Sequence, residues 1–264
     1  MKKTLLAIAL AAAVVPAWGQ AVVSSNIVGY EKIEIPENAM TIAGVQFKTV
    51  GDNVNDLVTL QSIKPEGYVE NGGDWIMVWD PATQTYTSAY FWGASADGGV
   101  YESADADEPI GPGWGDKEQN IIDITLDHGQ GFWTKSVGGG TLTVSGEVST
   151  ENSVSVPVNA MTLVTSTYPG ELDIQDIVPT GYVENGGDWI MIWDPSTQIY
   201  TTAYYWGASA DGGVYESADA EEPIGPGWGD KEQNIIRATL NPGEGFWTKS
   251  VGGGSLAFPT AVGN

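Results

Sequence analysis

"GYVENGGDWIMVWDPATQTYTSAYFWGASADGG" (residues 67–99) returns as "GYVENGGDWIMIWDPSTQIYTTAYYWGASADGG" (181–213). Within it, "DWIMVW" puts Trp75, Met77 and Trp79 on one side of an extended chain and Ile76 and Val78 on the other. That period of two, apolar on both sides, is the pattern of a strand covered on both faces. "DPAT" supplies an Asp-Pro turn. "QTYTSAYFW" then brings Tyr86, Tyr90 and Trp92 back along one face, which completes a hairpin.

The repeat extends outward from the hairpin. The two copies stay in register, without a gap, through "GFWTKSVGGG" at 131–140 and 245–254. Upstream they have worn: "IEIPENAMTIAG" (33–44) answers "VSVPVNAMTLVT" (154–165). The chain therefore reads as two tandem modules, about 22–147 and 148–264, and the joint "SGEVSTENSVSV" holds no flexible Pro/Gly linker. "NIIDITL", "GFWTKS" and "GTLTVSGEV" read as further short strands between Gly-rich turns. In "NDLVTLQSIKP", Leu57, Leu60 and Ile63 suit a short helix ended by Pro65, with a shorter version in "ELDIQDIVP". The expected fold is all-β, each module a small β-sandwich or partly open barrel with one short helix.

The opening "MKKTLLAIALAAAVVPAWGQA" has Lys2 and Lys3, then an apolar run from Leu5 to Val15 and small residues at Ala17 and Gly19. The run is too short to span the roughly 30 Å core of a bilayer, so residues 1–19 (or up to 21) read as a cleaved secretory signal peptide. The expected location is extracellular or cell envelope. The chain carries 34 acidic and 10 basic residues, a net charge of −24, and losing Lys2 and Lys3 would take it to −26. Such a surface repels nucleic-acid phosphates and anionic lipid, so neither is an expected partner. There is no cysteine, so stability has to come from packing.

Three motif sets together resemble a repeat found in exported proteins of planctomycete- and verrucomicrobia-type bacteria. They are the opening "NIVGYEKIEIPENAMTIAG", the hairpin "WDPATQTY" and the closing "LNPGEGFWTKSVGGGSL". The resemblance covers both modules and implies β-rich, non-catalytic extracellular proteins; it implies no binding residues.

The residue inventory removes most chemistries. His128 is the only histidine and its counterpart is Pro242, so neither a repeated Ser-His-Asp triad nor a His/Cys zinc site can be built. No phosphate-binding GxxxxGK[ST] loop occurs. Carboxylate pairs remain, but they crowd one polar loop, where nothing would raise the pKa of a general acid, so no enzyme is expected and no cofactor is required.

That loop, "WGASADGGVYESADADEPIGPGWGD" (92–116), recurs at 206–230 with one change, Glu221 for Asp107. Recent copying explains the identity; so does a structural need for glycines with positive φ at 98, 99, 111 and 113; so does a binding site. As a site it offers two chemistries. Asp97, Glu102, Asp105 and Asp107, with Asp211, Glu216, Asp219 and Glu221, could hold Ca²⁺ among freed backbone carbonyls. Trp92, Trp114, Trp206 and Trp228, with Tyr101 and Tyr215, border the loop and could stack on sugar rings, one site per module. Two functions follow as expectations. One is an exported structural or interaction component that contacts an envelope or extracellular polymer, or a second copy of itself. The other is a glycan-binding protein with Trp-lined, calcium-assisted sites.

Overall fold

The structure is a computed structural model that describes residues 27–49 and 58–260; the expected signal peptide and Leu57 lie outside them. Strand accounts for 52% of the described residues and helix for 3%, so the structure is all-β. The N-terminal half contributes β1 (Val28–Ile35), β2 (Met40–Gly44), β3 (Val58–Thr59), β4 (Lys64–Glu66), β5 (Asn71–Asp80), β6 (Thr85–Trp92), β7 (Gly113–Gly115), β8 (Thr125–Leu126), β9 (Gly131–Lys135) and β10 (Gly140–Glu147). The C-terminal half repeats the series as β11 (Ser153–Val156), β12 (Met161–Thr165), β13 (Leu172–Asp173), β14 (Val178–Thr180), β15 (Asn185–Asp194), β16 (Ile199–Trp206), β17 (Gly227–Gly229), β18 (Thr239–Leu240), β19 (Gly245–Lys249) and β20 (Gly254–Ala257).

Each half forms a five-stranded sheet, β2-β9-β5-β6-β7 or β12-β19-β15-β16-β17, with a three-stranded and a two-stranded companion. All named pairings are antiparallel. These small sheets take a propeller-like arrangement. The expected short helices shrink to single 3-10 turns, Leu60–Ser62 and Ile174–Asp176. The apolar spacing was real, because Leu60 and Ile63 are both buried, but three residues suffice to turn both inward. Pro65 does not end a helix. It sits in edge strand β4, the position in a sheet where proline is tolerated.

The two faces of β5 feed two different cores. Ile76 and Val78 enter the core of their own half, with Leu60, Trp114, Phe132 and Leu142. The C-terminal half has its own core around Ile174, Ile190, Trp228 and Phe246. Trp75, Met77 and Trp79 face the other way, toward a third cluster that both halves share, centred on Ile42, Trp133, Leu163 and Trp247.

Bonds across this seam come in matched pairs. Trp79 Nε1 donates to the Met161 carbonyl and Trp193 Nε1 to the Met40 carbonyl, both at 2.7 Å. Gln84 Nε2 donates to the Met161 carbonyl and Gln198 Nε2 to the Met40 carbonyl, both at 3.1 Å, and each glutamine accepts the N–H of the same methionine at 3.3 Å. The indoles meet edge to face: Trp79 with Trp247 at 5.3 Å, Trp133 with Trp193 at 5.4 Å. A Cβ at Gly44 would collide with Thr165, so this glycine permits the backbones to meet there, and the Gly44 N–H reaches the Gly243 carbonyl at 2.9 Å. The worn upstream region keeps "NAMT" in both copies, and its methionine backbone is what the partner's tryptophan and glutamine grip.

Candidate functional site

The copied loop is a folded lobe with a defined backbone. Gly93 N–H binds the Glu70 carbonyl at 3.0 Å, and the Glu70 carboxylate accepts the Ser95 N–H at 3.0 Å. Val100 N–H bonds to the Gly111 carbonyl at 2.9 Å, and Ile110 N–H returns to the Val100 carbonyl at 2.8 Å. Gly99 has φ 115°, and a Cβ there would strike the Gly111 carbonyl, so this position needs glycine. Gly98 and Gly111 also have positive φ, but Gly113 does not. Gly113 is held to glycine by crowding from Gln61 and Val100 instead.

Trp114 and Trp228 are the main correction to the sequence reading. They are 1% and 0% exposed, so neither can stack on a sugar. The Trp114 indole N–H donates to the Ile63 carbonyl at 3.0 Å, and its backbone N–H and carbonyl are both held by the Gln61 amide. Trp228 repeats this with Ile177 and Gln175. These tryptophans pin the lobe to the core beneath it. Tyr101 and Tyr215 are half-buried in the lobe and pair with Asn120 and Asn234 rather than with the tryptophans.

The calcium expectation gains no support. Asp97, Glu102, Asp105 and Asp107, and Asp211, Glu216, Asp219 and Glu221, are all exposed. Among the described residues, no three acidic or histidine side chains gather in a way that could hold a metal ion. Glu216 is engaged by Arg237, 3.1 Å away. His128 sits at the seam, its Nε2 3.0 Å from the Gln46 carbonyl.

Trp92 and Trp206 keep half-exposed rings, and they belong to a larger surface. In β6 the side chains of Tyr86, Ser88, Tyr90 and Trp92 share the face of Trp75, Met77 and Trp79 in β5, since Trp75 pairs with Tyr90 and Trp79 with Tyr86. The Trp92 ring lies over Gly72, where a Cβ would be 2.6 Å from its edge, and its Nε1 donates to the Asp116 carbonyl at 2.9 Å. One cross-strand row runs Lys135–Trp75–Tyr90–Gly115. Lys117, just past β7, holds its ammonium 5.9 Å from the centre of the Tyr90 ring. The other half repeats the row as Lys249–Trp189–Tyr204–Gly229, with Lys231 5.9 Å from Tyr204. The sequence reading placed Tyr90 on a strand face without a role and passed over the lysines. A signal was there: "GWGDKEQN" and "GFWTKS" hold lysines at fixed places in both copies of a strongly acidic chain.

Two clefts open where the halves meet. One, of about 300 Å³, is lined by Glu31, Glu34, Ile42, Trp193 and Glu244. The other, of about 210 Å³, is lined by the corresponding Ser155, Leu163, Trp79 and Gln130, with His128. Burial pushes the Glu244 carboxyl above the usual range, opposed by hydrogen bonds from Asn241 and reinforced by the charge of Asp194. Burial likewise raises Glu31.

Asp74 and Asp188, missed in the sequence, are 0% exposed. The Asp74 carboxylate accepts the Val69 N–H at 2.6 Å, the Val137 N–H at 2.7 Å and the Ser136 hydroxyl at 2.7 Å. Sealed and fully bonded, it ties the entry to β5 to the β9–β10 turn; this is a structural role. No family model matches the chain, and neither the curated proteins nor the solved structures contain a match to it.

Proposed function

We propose that this chain is an exported, non-catalytic pair of β-modules, 22–147 and 148–264, that serves as a rigid component of the cell envelope or extracellular matrix and acts through its surfaces. The shared seam carries this reading. Each half commits two tryptophans and a glutamine to its partner, which favours one stiff body over two swinging ones. Asp74 and Asp188 are fully bonded and the loop carboxylates face solvent, which leaves Glu31, Glu34 and Glu244 at the seam cleft as the one gathering of acids the reading sets aside. Fractionation of the producing cells, read by immunoblot, should recover the chain with envelope or matrix material. Recovery only as a free monomer in the medium would overturn the reading.

Glycan binding is the second reading. It is favoured by the half-exposed aromatic faces on the two five-stranded sheets, and not by the loop tryptophans Trp114 and Trp228.

A further inference from the structure

Basic residues are scarce in this chain, and four of the ten lie on two corresponding sheet faces. Beyond Lys2 and Lys3 there are eight, and four of these (Lys117, Lys135, Lys231 and Lys249) lie on the two aromatic sheet faces. The others have local partners. Lys32 pairs with Glu66, Lys48 with Glu151 and Arg237 with Glu216, while Lys64 donates to the Gln61 carbonyl. Among the described residues, none of the four face lysines has a carboxylate partner, although the chain offers 34 acids. A random scatter of lysines on so acidic a surface would find carboxylates first.

The geometry between the lysines is that of a platform. Lys135, Trp75, Tyr90 and Gly115 are successive cross-strand neighbours, so the row spans three strand spacings, about 14 Å at roughly 4.8 Å each. Lys135 stands at one end and Lys117 at the other. The aromatic rings between them are partly exposed, and the Trp92 ring edge lies against the Gly72 backbone beside them. Aromatic rings with a lysine at either end of the row suit a ligand that combines apolar ring faces with negative charge. We infer that each face binds a stretch of acidic polysaccharide. Its sugar rings lie on Trp75, Tyr90 and Trp92, or on Trp189, Tyr204 and Trp206, and its anionic groups meet the flanking lysines. Because both faces belong to one body, a long polymer gains effective concentration at the second once it holds the first. The surrounding negative charge repels polyanions in general, so only one that fits a face is retained. This inference deepens the surface-acting reading and rests on it.

The test is titration of the full chain with an oligogalacturonate, followed by tryptophan fluorescence at low and high salt. The expected result is a saturable change that weakens with added salt and weakens about tenfold, the loss of roughly one charged contact per face, in the double variant Lys117→Gln with Lys231→Gln. Both lysines are exposed, so the variant should fold, and an unchanged melting curve checks this. An equal response to a neutral maltooligosaccharide, an equal response to polyacrylate, or an unaltered affinity in the lysine variant would each overturn the inference. Envelope retention of the same variant separates the two claims: if oligogalacturonate fails to bind but the chain still fractionates with the envelope, the surface-acting reading survives and the acidic-glycan inference does not.

Discussion

The two clefts along the seam are built from corresponding residues, yet they differ in charge. Trp193, Ile42 and Glu244 line one; Trp79, Leu163 and Gln130 line the other. In both, the side-chain oxygen at that last position accepts a backbone N–H three residues upstream, Asn241 to Glu244 and Asp127 to Gln130, each at 2.9 Å. The hydrogen bond is the same while one acceptor is ionisable. The comparison teaches that the seam constrains backbone bonding tightly and leaves cleft volume and charge at its margin free to vary.

The largest effect should come from breaking the seam at its tryptophans. Trp79→Ala and Trp193→Ala each remove a large ring, an edge-to-face contact and a 2.7 Å bond to a methionine carbonyl. Each should cost about 3–5 kcal/mol in urea unfolding. If the seam is as symmetric as its bonds, the two losses should agree within about 1 kcal/mol, near the spread of such measurements. A middling effect is expected from Gln84→Ala and Gln198→Ala. Each loses the paired bonds to Met161 or Met40 at an exposed site, worth about 1 kcal/mol, again alike on both sides.

The smallest effect should expose the asymmetry. Glu244 has its carboxyl raised by burial, so the folded chain holds that proton to higher pH than the unfolded chain does. Stability from this group is therefore fully present below the unfolded value of 4.5 and declines as pH rises through the higher folded value. Glu244→Gln should leave the melting temperature unchanged near pH 4 and raise it at pH 7. Gln130→Glu should do the reverse in the other cleft, lowering it at pH 7 only. Melting curves at the two pH values decide, and a Glu244→Gln shift of equal size at both would remove ionisation as its cause.

Much of this was legible in the chain. The alternation of Trp75, Ile76, Met77, Val78 and Trp79 told which side chains share a face, and the structure keeps that division residue by residue. It could not tell what covers each face. Trp114 and Trp92 both border the copied loop and are both followed by glycine, and one is sealed while the other is half open. Their difference is made by Gln61 and Ile63, more than fifty residues upstream of Trp114, which no local pattern predicts. The helix expected at Leu57–Ile63 was misjudged for a related reason: apolar spacing of three marks a turn of either kind, and the tertiary contacts of Leu60 and Ile63 chose the shorter.

The amino-acid order alone settled the duplication, the strand-rich pattern and the lack of cysteine beside a single histidine, because these depend on identity and on a period of two along a single strand. Which tryptophans are walls and which are surfaces, how the halves interlock, and that four lysines frame two aromatic rows were decided only in three dimensions. Cross-strand register joins segments that are far apart in the chain, and it is fixed by long-range packing that no short stretch encodes by itself.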